Sequence, residues 1–415
     1  MSIDARIPIG EVPPPGTRPG RMFAQVVRQG RFGDPLTAFE IEEVPVPEPG
    51  PGEVLVAVMA AGINFNNVWA ARGTPIDVIA DRRRKGEPWD FHIGGSDASG
   101  IVHAVGEGVE SVSPGDRIVV HPGHWDPDDA WVKGGNDPML APSAKIWGYN
   151  TNFGSFAQFC LAQEHQILPK APHLTWAEAA APTLVGTTAY RMLFGWDGHR
   201  LRPGDLVLVW GGSGGLGTQA IQLAVAHGAD AVAVVSDDRR GEYATRLGAI
   251  GYLNRGGFSH WGVPPHWDDA PGYGAWMKEA RRFRQALSEI AGRRSPRIVF
   301  EHPGEATIPT SVFLCAPGGM VVICAGTSGY SATVDLRYQW VMQKRLQGSH
   351  GTNDDQARAY NDLVREGRID PSLGEVVPFH EIGRAHHDMA NGIEVFGNRV
   401  ALVGAPDEHA GVTGR

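Results

Sequence analysis

Residues 207–222, VLVWGGSGGLGTQAIQ, decide how the second half of the chain folds. An apolar run at 206–210 predicts a strand, the apolar spacing after the glycines predicts a helix, and a second apolar run at 231–236 predicts the next strand. The G-x-G-x-x-G spacing lets a pyrophosphate approach the N-terminus of that helix, whereas a tight turn that merely needs positive φ would require fewer glycines. We therefore expect a parallel sheet covered by helices, and a dinucleotide site formed by Gly212, Ser213, Gly214, Gly215, Leu216 and Gly217.

The residues after the second expected strand bear on the choice between NAD and NADP. An acid there bonds the ribose hydroxyls of NAD, whereas a small polar residue with nearby cations accepts the extra phosphate of NADP. Asp237 stands where the acid of an NAD site could lie, while Ser236, Arg239, Arg240 and Arg255 offer the polar and positive groups. We expect NADPH bound by these four residues; a solvated helix start is the alternative for the arginines.

Composition and charge narrow the class of protein. The chain has 415 residues and a formal net charge of −9, which argues against a nucleic-acid partner because phosphate backbones require clustered Lys and Arg. Its three cysteines, Cys160, Cys315 and Cys324, are too few and too irregularly spaced for a disulfide scaffold. No signal segment and no run of membrane-spanning length is visible. We expect a cytoplasmic enzyme without a membrane partner.

The pattern of turns and apolar runs predicts two domains and a returning tail. Residues 22–190 alternate short β-rich runs with turn signals, which indicates a partly open barrel, and strand–helix alternation begins near 200. Residues 256–285 show no period, so we expect an insertion or surface excursion. The expected division is a catalytic domain at 1–195 with a loose arm at 1–21, a dinucleotide domain at 196–340, and a tail at 341–415 that returns to the first domain.

A β-rich domain followed by a dinucleotide domain suggests the medium-chain dehydrogenase/reductase superfamily. Its zinc members share a Cys and a His–Glu pair early in the chain, but the matching stretches here read AGINFNNVWA and GGSDASG, and the first cysteine is Cys160. A tetrahedral zinc site of Cys and His ligands is therefore not expected, and no metal is assigned. Hydride addition to an activated C=C bond fits better, since its charge needs hydrogen-bond donors rather than a metal.

Longer stretches resemble the crotonyl-CoA carboxylase/reductases over nearly the whole chain. They include FAQVVRQGRFGDP at 23–35, HWDPDDAWVKGGNDPML at 124–140, IWGYNTNFGSFAQF at 146–159, RIVFEHPGEATIPTSVF at 297–313 and DLRYQWVMQKRLQGSH at 335–350. The resemblance implies a GroES-like catalytic domain with a Rossmann domain, in a homodimer or homotetramer. It also implies that NADPH reduces an α,β-unsaturated acyl-CoA to an enolate, which attacks CO2 to give an alkylmalonyl-CoA such as ethylmalonyl-CoA.

The resemblance further assigns a CO2 pocket to four residues. Asn66 in NFNNVW and His350 in LQGSH match the family's asparagine and histidine, both suitable donors to a carboxylate. The family's aromatic residue and glutamate fall on Tyr149 and Asn150, so an amide replaces the usual carboxylate. This departure leaves open an alternative: an NADPH-dependent enoyl-CoA or quinone reductase with little or no carboxylation. A nucleotide-binding scaffold without turnover is a rival from another class.

The remaining expected contacts concern coenzyme A and the nicotinamide. Arg337 and Tyr338 in DLRYQW resemble family positions that contact coenzyme A, where an arginine can pair with phosphate, and a surface helix start is the alternative. Thr327 and Ser328 follow the apolar run VVICAG, so we expect them to line the nicotinamide crevice at the carboxyl ends of the strands.

Overall fold

The computed structural model describes residues 2, 3, 7–393 and 395–413, which divide into two compact units. Unit 1 takes its residues from 1–187, 351–367 and 371–415, and unit 2 consists of 188–350 and 368–370. The boundaries at 187/188 and 350/351 lie near the expected 195/196 and 340/341. The last residues of the expected dinucleotide domain and the first of the expected tail thus share unit 2.

The chain forms twenty strands and thirteen α-helices within the described residues. The strands are β1 (Ser2–Ile3), β2 (Arg18–Pro19), β3 (Arg21–Arg28), β4 (Glu40–Pro45), β5 (Glu53–Ile63), β6 (Phe91–Ile93), β7 (Ala98–Val105), β8 (Arg117–Val120), β9 (Gly123–His124), β10 (Lys145–Ile146), β11 (Phe159–Gln163), β12 (Ile167–Pro169), β13 (Leu206–Trp210), β14 (Asp230–Val235), β15 (Gly251–Asn254), β16 (Ile298–Glu301), β17 (Met320–Ile323), β18 (Arg345–Gly348), β19 (Leu373–Pro378) and β20 (Asn398–Leu402). The helices are α1 (Pro35–Ala38), α2 (Phe65–Arg72), α3 (Val78–Arg84), α4 (Ala130–Lys133), α5 (Trp176–Ala180), α6 (Thr183–Phe194), α7 (Gly215–Ala226), α8 (Asp238–Arg246), α9 (Ala270–Ile290), α10 (Ile308–Leu314), α11 (Leu336–Trp340), α12 (Asp354–Arg365) and α13 (Ile382–Ala390).

Unit 1 is built on a seven-stranded sheet. Its order is β12-β8-β7-β5-β20-β19, and β11 also pairs with β5. Every pair is antiparallel except β19 with β20. The order β4-β3-β6 forms a second, three-stranded sheet. The long strand β5 is buried along nearly its whole length, which explains its continuous apolar sequence.

Unit 2 contains a six-stranded, fully parallel sheet. Its order is β15-β14-β13-β16-β17-β18, so the chain leaves β13 first toward one edge and then, from β16, toward the other. The apolar strands β13, β14, β16 and β17 are buried because helices cover such sheets. The sheet confirms the expected doubly wound α/β class, in which ligands bind beyond the carboxyl ends of the strands at the reversal point.

We expected an insertion or surface excursion at 256–285. This prediction is wrong for the second half of the segment, because α9 begins at Ala270. Asp269 caps the helix by accepting the backbone N–H of Gly272 at 3.1 Å. Trp276, Phe283 and other apolar residues of α9 are buried in the core of unit 2. The apolar residues 276, 280, 283 and 287 do have helical spacing, but the four Arg and Lys residues between 278 and 284 hide it.

The expected loose arm at 1–21 lies partly outside the described residues. Its described part is bonded to unit 1, since Gln158 Nε2 donates to the carbonyls of Ile7 and Pro8 at 3.0 Å each. The ring of His103 also lies 2.8 Å from the carbonyl of Thr17. In the part of the chain that the structure covers, no helix is both long enough and apolar enough to cross a membrane.

Candidate active site

The glycine turn between β13 and α7 has the geometry of a phosphate loop. Gly211 has a positive φ of 62°, so the chain turns sharply after Trp210. A Cβ on Gly217 would lie 2.2 Å from the Gly211 carbonyl oxygen, whereas one on Gly214 would meet nothing nearer than 3.6 Å. No side chain of the described residues caps the N-terminus of α7 at Gly214. Its first backbone N–H groups can therefore bind phosphate oxygens.

The contacts of Asp237 bear on the two conflicting cofactor signals. Asp237 caps α8 by accepting the Arg240 backbone N–H at 3.0 Å, and this bond holds the pKa of its carboxyl below the usual range. The same carboxylate pairs with Arg240 Nε at 3.2 Å and accepts the Ser236 hydroxyl at 3.2 Å. Arg240 also reaches Ser213 Oγ of the glycine turn at 3.3 Å. Asp237 is thus a helix cap, and Arg240 lies beside the loop, where its positive charge could pair with a phosphate.

Thr327 and Ser328 follow β17 and are held by the loop that follows β16. The Thr327 N–H donates to the His302 carbonyl at 3.3 Å. Ser328 Oγ donates to the Pro303 carbonyl at 2.7 Å and accepts the Ala306 N–H at 3.0 Å. The hydroxyl of Ser328 therefore ties two loops together at the carboxyl edge of the sheet.

Sequence reasoning missed a buried acid at the same edge, Glu301. Its carboxyl accepts the hydroxyls of Thr307 and Ser311 at 2.6 Å each, and the backbone N–H of Gly304 at 3.2 Å. Burial raises its pKa to about 7 in spite of these donors. Glu301 thus fixes the loop from residue 302 to the start of α10.

Arg337 and Tyr338 lie on the short helix α11 and contact α9. Arg337 pairs with Asp335 at 2.7 Å, and Asp335 also accepts the Tyr273 hydroxyl at 2.5 Å. The Arg337 pairing, opposed by desolvation and assisted by the Tyr273 bond, lowers the pKa of Asp335 to about 2. The Tyr338 hydroxyl meets Met277 Sδ at 3.5 Å. Any phosphate contact of Arg337 would therefore compete with an ion pair inside unit 2.

His350 follows the edge strand β18 of unit 2. The residue is exposed overall, while part of its ring is removed from water. This desolvation and, next, the positive charge of Arg191 lower its pKa from the usual range. The ring is accordingly neutral near pH 7, with one N–H available as a donor.

Asn66 lies in the first turn of α2 in unit 1. Its Nδ2 donates to Ser96 Oγ at 2.8 Å, and its Oδ1 accepts from Asn67 Nδ2 at 3.0 Å. Asn67 and Ser96 are fully buried, while Asn66 is only half-buried. The amide of Asn66 is thus held by two neighbours and keeps contact with solvent.

The donor set beside Asn66 does not fit zinc. The stretches that match the zinc ligands of medium-chain dehydrogenases place Asn64, Asn66, Ser96 and Asp97 there, and none offers a thiolate or imidazole. Asp97 accepts Asn64 Nδ2 at 2.7 Å and the Leu184 N–H, and its burial raises its pKa to about 8. Asp97 is thus a structural acid that joins the start of α2 to the start of α6.

Tyr149 and Asn150 lie on a loop that crosses the residues beside Asn66. A Cβ on Gly148 would lie 1.9 Å from the Gly95 carbonyl oxygen, so the two backbones touch. Tyr149 is buried in an apolar cluster with Trp125 and other side chains of unit 1. Asn150 Oδ1 accepts the Ile146 N–H at 2.9 Å. The amide that replaces the family's glutamate therefore closes a local turn.

A second group with metal-binding residue types, His121, His165 and Asp354, lies elsewhere in unit 1. His121 Nδ1 accepts the Gly123 N–H at 3.2 Å, so its hydrogen lies on Nε2, 3.1 Å from Asp354 Oδ1. His165 Nδ1 approaches the same oxygen at 2.9 Å. The carboxylate thus accepts from both rings, and the group is a hydrogen-bond network that joins β8 to α12.

The structure brings the expected residues together in two groups. In unit 2 the glycine loop contacts Arg240, and Arg239 and Arg255 are exposed. In unit 1 the residues bonded to Asn66 lie against the loop of Tyr149 and Asn150. Sequence reasoning missed Asn67 and Ser96, although both stand inside the stretches NFNNVW and GGSDASG. Their polar types in an otherwise apolar, glycine-rich context were the available signal.

Comparisons with known proteins agree with this organisation. Two family models match the chain: the alcohol dehydrogenase GroES-like domain over residues 50–172 and the zinc-binding dehydrogenase over residues 215–366. Together with the parallel sheet of unit 2, they confirm the expected GroES-like and Rossmann domains.

Individual relatives match along nearly their whole length. The chain is 49% identical to the crotonyl-CoA carboxylase/reductase of Cereibacter sphaeroides, covering 96% of this chain and 91% of that protein. The structure of crotonyl-CoA carboxylase/reductase AntE in complex with NADP is 49% identical, with a TM-score of 0.93 over 97% of this chain and 99% of that one. The 2-octenoyl-CoA carboxylase reductase CinF, in complex with NADP and 2-octenoyl-CoA, is 38% identical, with a TM-score of 0.86 over 95% and 90% of the two chains.

Proposed function

Because the chain belongs to the crotonyl-CoA carboxylase/reductase family, we propose that it catalyses the NADPH-dependent reductive carboxylation of an α,β-unsaturated acyl-CoA. With crotonyl-CoA the product is ethylmalonyl-CoA. The family match carries the proposal, because it extends over both the glycine loop and the stretch around Asn66. The alternative of reduction without carboxylation is not favoured, since the similar structures are named carboxylases as well as reductases.

Unit 2 has the residues to bind NADPH. The glycine loop and the open N-terminus of α7 hold the pyrophosphate, and Arg240, with Ser236, Arg239 and Arg255, binds the extra phosphate. NADPH supplies the hydride that reduces the Cβ of the enoyl thioester. Thr327 and Ser328 line the nicotinamide site, where the bonds of Ser328 keep the loop in one conformation.

The carboxylation step relies on hydrogen-bond donors. Hydride addition leaves an enolate, whose Cα attacks the carbon of CO2, and the negative charge moves to the new carboxylate. In unit 1, Asn66 Nδ2 supplies an N–H group for that charge. The family resemblance assigns the role of second donor to His350, whose ring is neutral. Tyr149 provides an apolar wall that keeps water from protonating Cα, and Asn150 fixes the turn that presents it.

Binding of coenzyme A and assembly complete the proposal. Arg337 and Tyr338 contact the acyl-CoA, for which Arg337 shares its charge between Asp335 and a phosphate. A homodimer or homotetramer is supported by exposed apolar side chains around α11 and the edge strand β18, namely Leu336, Trp340, Val341, Met342 and Leu346. The three free cysteines support a cytoplasmic location.

The test measures NADPH oxidation with crotonyl-CoA, with and without bicarbonate, followed by mass analysis of the product. We expect ethylmalonyl-CoA with bicarbonate and slower formation of butyryl-CoA without it. Detecting only butyryl-CoA under saturating CO2 would reject the carboxylase assignment while leaving the reductase in place. Failure to oxidise NADPH with any enoyl-CoA would reject both.

A further inference from the structure

A second asparagine, Asn67, lies directly behind Asn66 and is fully buried. Its Oδ1 accepts the backbone N–H of Gly95 at 3.2 Å, and its Nδ2 donates to Asn66 Oδ1 at 3.0 Å. A peptide N–H can only donate, so the oxygen of the Asn67 amide has to face Gly95. The NH2 group of Asn67 is therefore fixed toward Asn66.

The orientation of Asn67 determines that of Asn66. Because Asn67 presents hydrogens, the group of Asn66 that faces it has to be the carbonyl oxygen. The Asn66 NH2 group then lies on the opposite side and donates one hydrogen to Ser96 Oγ at 2.8 Å. Among the residues that the structure describes, no acceptor binds its second hydrogen, and Asn66 is only half-buried. That hydrogen is available to a ligand.

We propose that Asn67 is the positioning residue that aims the NH2 group of Asn66 at CO2 and at the carboxylate formed from it. The inference rests on the proposed function. An amide held the other way would present its oxygen to the developing negative charge and repel it. Asn67 acts through Asn66 and does not itself touch the substrate.

Ser96 cannot make this selection by itself. A hydroxyl both donates and accepts, so Ser96 Oγ can bond either end of the Asn66 amide. With the amide reversed, however, the NH2 groups of Asn66 and Asn67 would face each other with no acceptor between them. The pairing with Asn67 is therefore the interaction that distinguishes the two orientations.

The local backbone is shaped to bring Asn67 this close to its partner. A Cβ on Gly94 would lie 2.1 Å from Asn67 Oδ1, so only glycine leaves room for the amide there. The next residue, Gly95, has a positive φ of 95°. The glycine pair thus lets the chain give its N–H to a side chain of α2.

The experiment compares Asn67→Asp with the parent enzyme. Aspartate keeps the shape and the acceptor for Gly95, and in its ionised form it turns the Nδ2 donor into an acceptor, so Asn66 has to reverse. The assay is therefore repeated at increasing pH, because burial raises the pKa of a carboxyl in this region, as it does for Asp97. At limiting bicarbonate we expect the ratio of ethylmalonyl-CoA to butyryl-CoA to fall at least tenfold and the KM for CO2 to rise, while the KM values for crotonyl-CoA and NADPH change less than about threefold. A ratio within twofold of the parent would overturn the proposal.

Asn152→Asp is the matched control. Asn152 is also buried in unit 1 and bonds the same segment, since its Oδ1 accepts the Ile93 N–H and its Nδ2 donates to the Phe91 carbonyl. Among the described residues, the side-chain hydrogen bonds of Asn66 go to Ser96 and Asn67 and not to Asn152. We expect its product ratio to match the parent's. An equal fall in Asn152→Asp would mean that any buried aspartate has the effect and would overturn the proposal.

Two further variants, Asn67→Ala and Ser96→Ala, test the proposal if Asn67→Asp does not fold. In Asn67→Ala, Asn66 is free to take both orientations, so we expect the product ratio to fall at least threefold; an unchanged ratio overturns the proposal. Ser96→Ala leaves Asn67 in place, and a loss as large as that of Asn67→Ala would also overturn it. A parent enzyme that makes only butyryl-CoA would instead contradict the proposed function, so the two failures are distinguishable.

Discussion

The glycine loop of unit 2 and the asparagine pair of unit 1 are two separate candidate sites, and each is prepared by different means. At the loop, the absence of side chains lets backbone N–H groups face a ligand, and a Cβ on Gly217 would strike the turn itself. At the pair, side chains occupy the space, and the direction of each hydrogen bond decides what is presented. A site built from backbone N–H groups therefore fails when a side chain takes up its space, whereas a site built from amide side chains fails when an amide reverses its donor and acceptor at unchanged shape.

The largest effect should come from adding a single methyl group to the loop. Gly217→Ala places a Cβ 2.2 Å from the Gly211 carbonyl oxygen, which costs about 1–3 kcal/mol of overpacking and distorts the turn. We expect a lower Tm together with a loss of NADPH binding of at least about a hundredfold. Differential scanning calorimetry and fluorescence titration with NADPH measure the two effects.

Gly214→Ala is its control. Gly214 has an ordinary φ of −86°, and a Cβ there would meet nothing nearer than 3.6 Å, so the fold should tolerate the change. The methyl group would stand where the pyrophosphate approaches, and we expect about tenfold weaker NADPH binding at an unchanged Tm. Equal decreases of Tm in the two variants would show that the close contact expected for a Cβ at Gly217 does not determine the stability of the loop.

We expect an effect of intermediate size on NADPH binding when Arg240 is replaced. Like the asparagine pair, Arg240 acts through its side chain, and like the glycine loop it lies at the expected cofactor site. It is a side chain, but it contacts the glycine loop through Ser213. Arg240→Ala should raise the KM for NADPH about 10–100-fold and leave that for NADH nearly constant, because a charge-assisted bond contributes about 1.5–3 kcal/mol. Arg246→Ala on the same helix removes an arginine that stacks on Tyr243 and serves as control. Equal changes for the two cofactors would argue against phosphate recognition by Arg240.

The smallest effect is expected for the yield of carboxylated product when a charge is introduced at Asn150. Asn150→Glu restores an acid where the family usually has one, and we expect the carboxylated product at limiting bicarbonate to increase about threefold, an effect of well under 1.4 kcal/mol. Asn150→Gln has the same length without the charge and loses the same bond to Ile146, so it should show no increase. Mass analysis of the product mixture would contradict the prediction if Glu and Gln behaved alike.

The loop was predictable from the sequence because its chemistry depends on residue type alone. The strand, the glycines and the helix are contiguous, and the structure places them as expected. Asn66 was predicted from a motif, but the orientation of its amide could not be predicted, since it depends on contacts with Gly95 and Ser96 from a distant part of the chain. The role of Asp237 was equally hidden, because an acid can bind ribose or cap a helix and only the fold decides.

Helix α9 is an element that the sequence analysis did not predict. Its apolar residues have the right spacing, yet its many charges and the irregular stretch before it suggested an excursion. Burial of Trp276 and Phe283 against the sheet of unit 2 stabilises the helix, and that packing is a tertiary fact. The apolar spacing of α9 is a weak local signal, and the helix is stabilised mainly by tertiary contacts that cannot be read from a short stretch of sequence.

The backbone crossing beside Asn66 limits how this enzyme can be diversified. The crossing is the place where the segment around Gly94 and Gly95 meets the loop around Gly148 and Gly154. A Cβ atom on any of these four glycines would lie within 2.4 Å of an atom of a neighbouring residue. Mutant libraries aimed at longer or shorter acyl chains should therefore lose viable members at these four positions. Directed evolution has more freedom among the apolar side chains that pack around Tyr149, where volume can be exchanged between neighbours without moving the main chain.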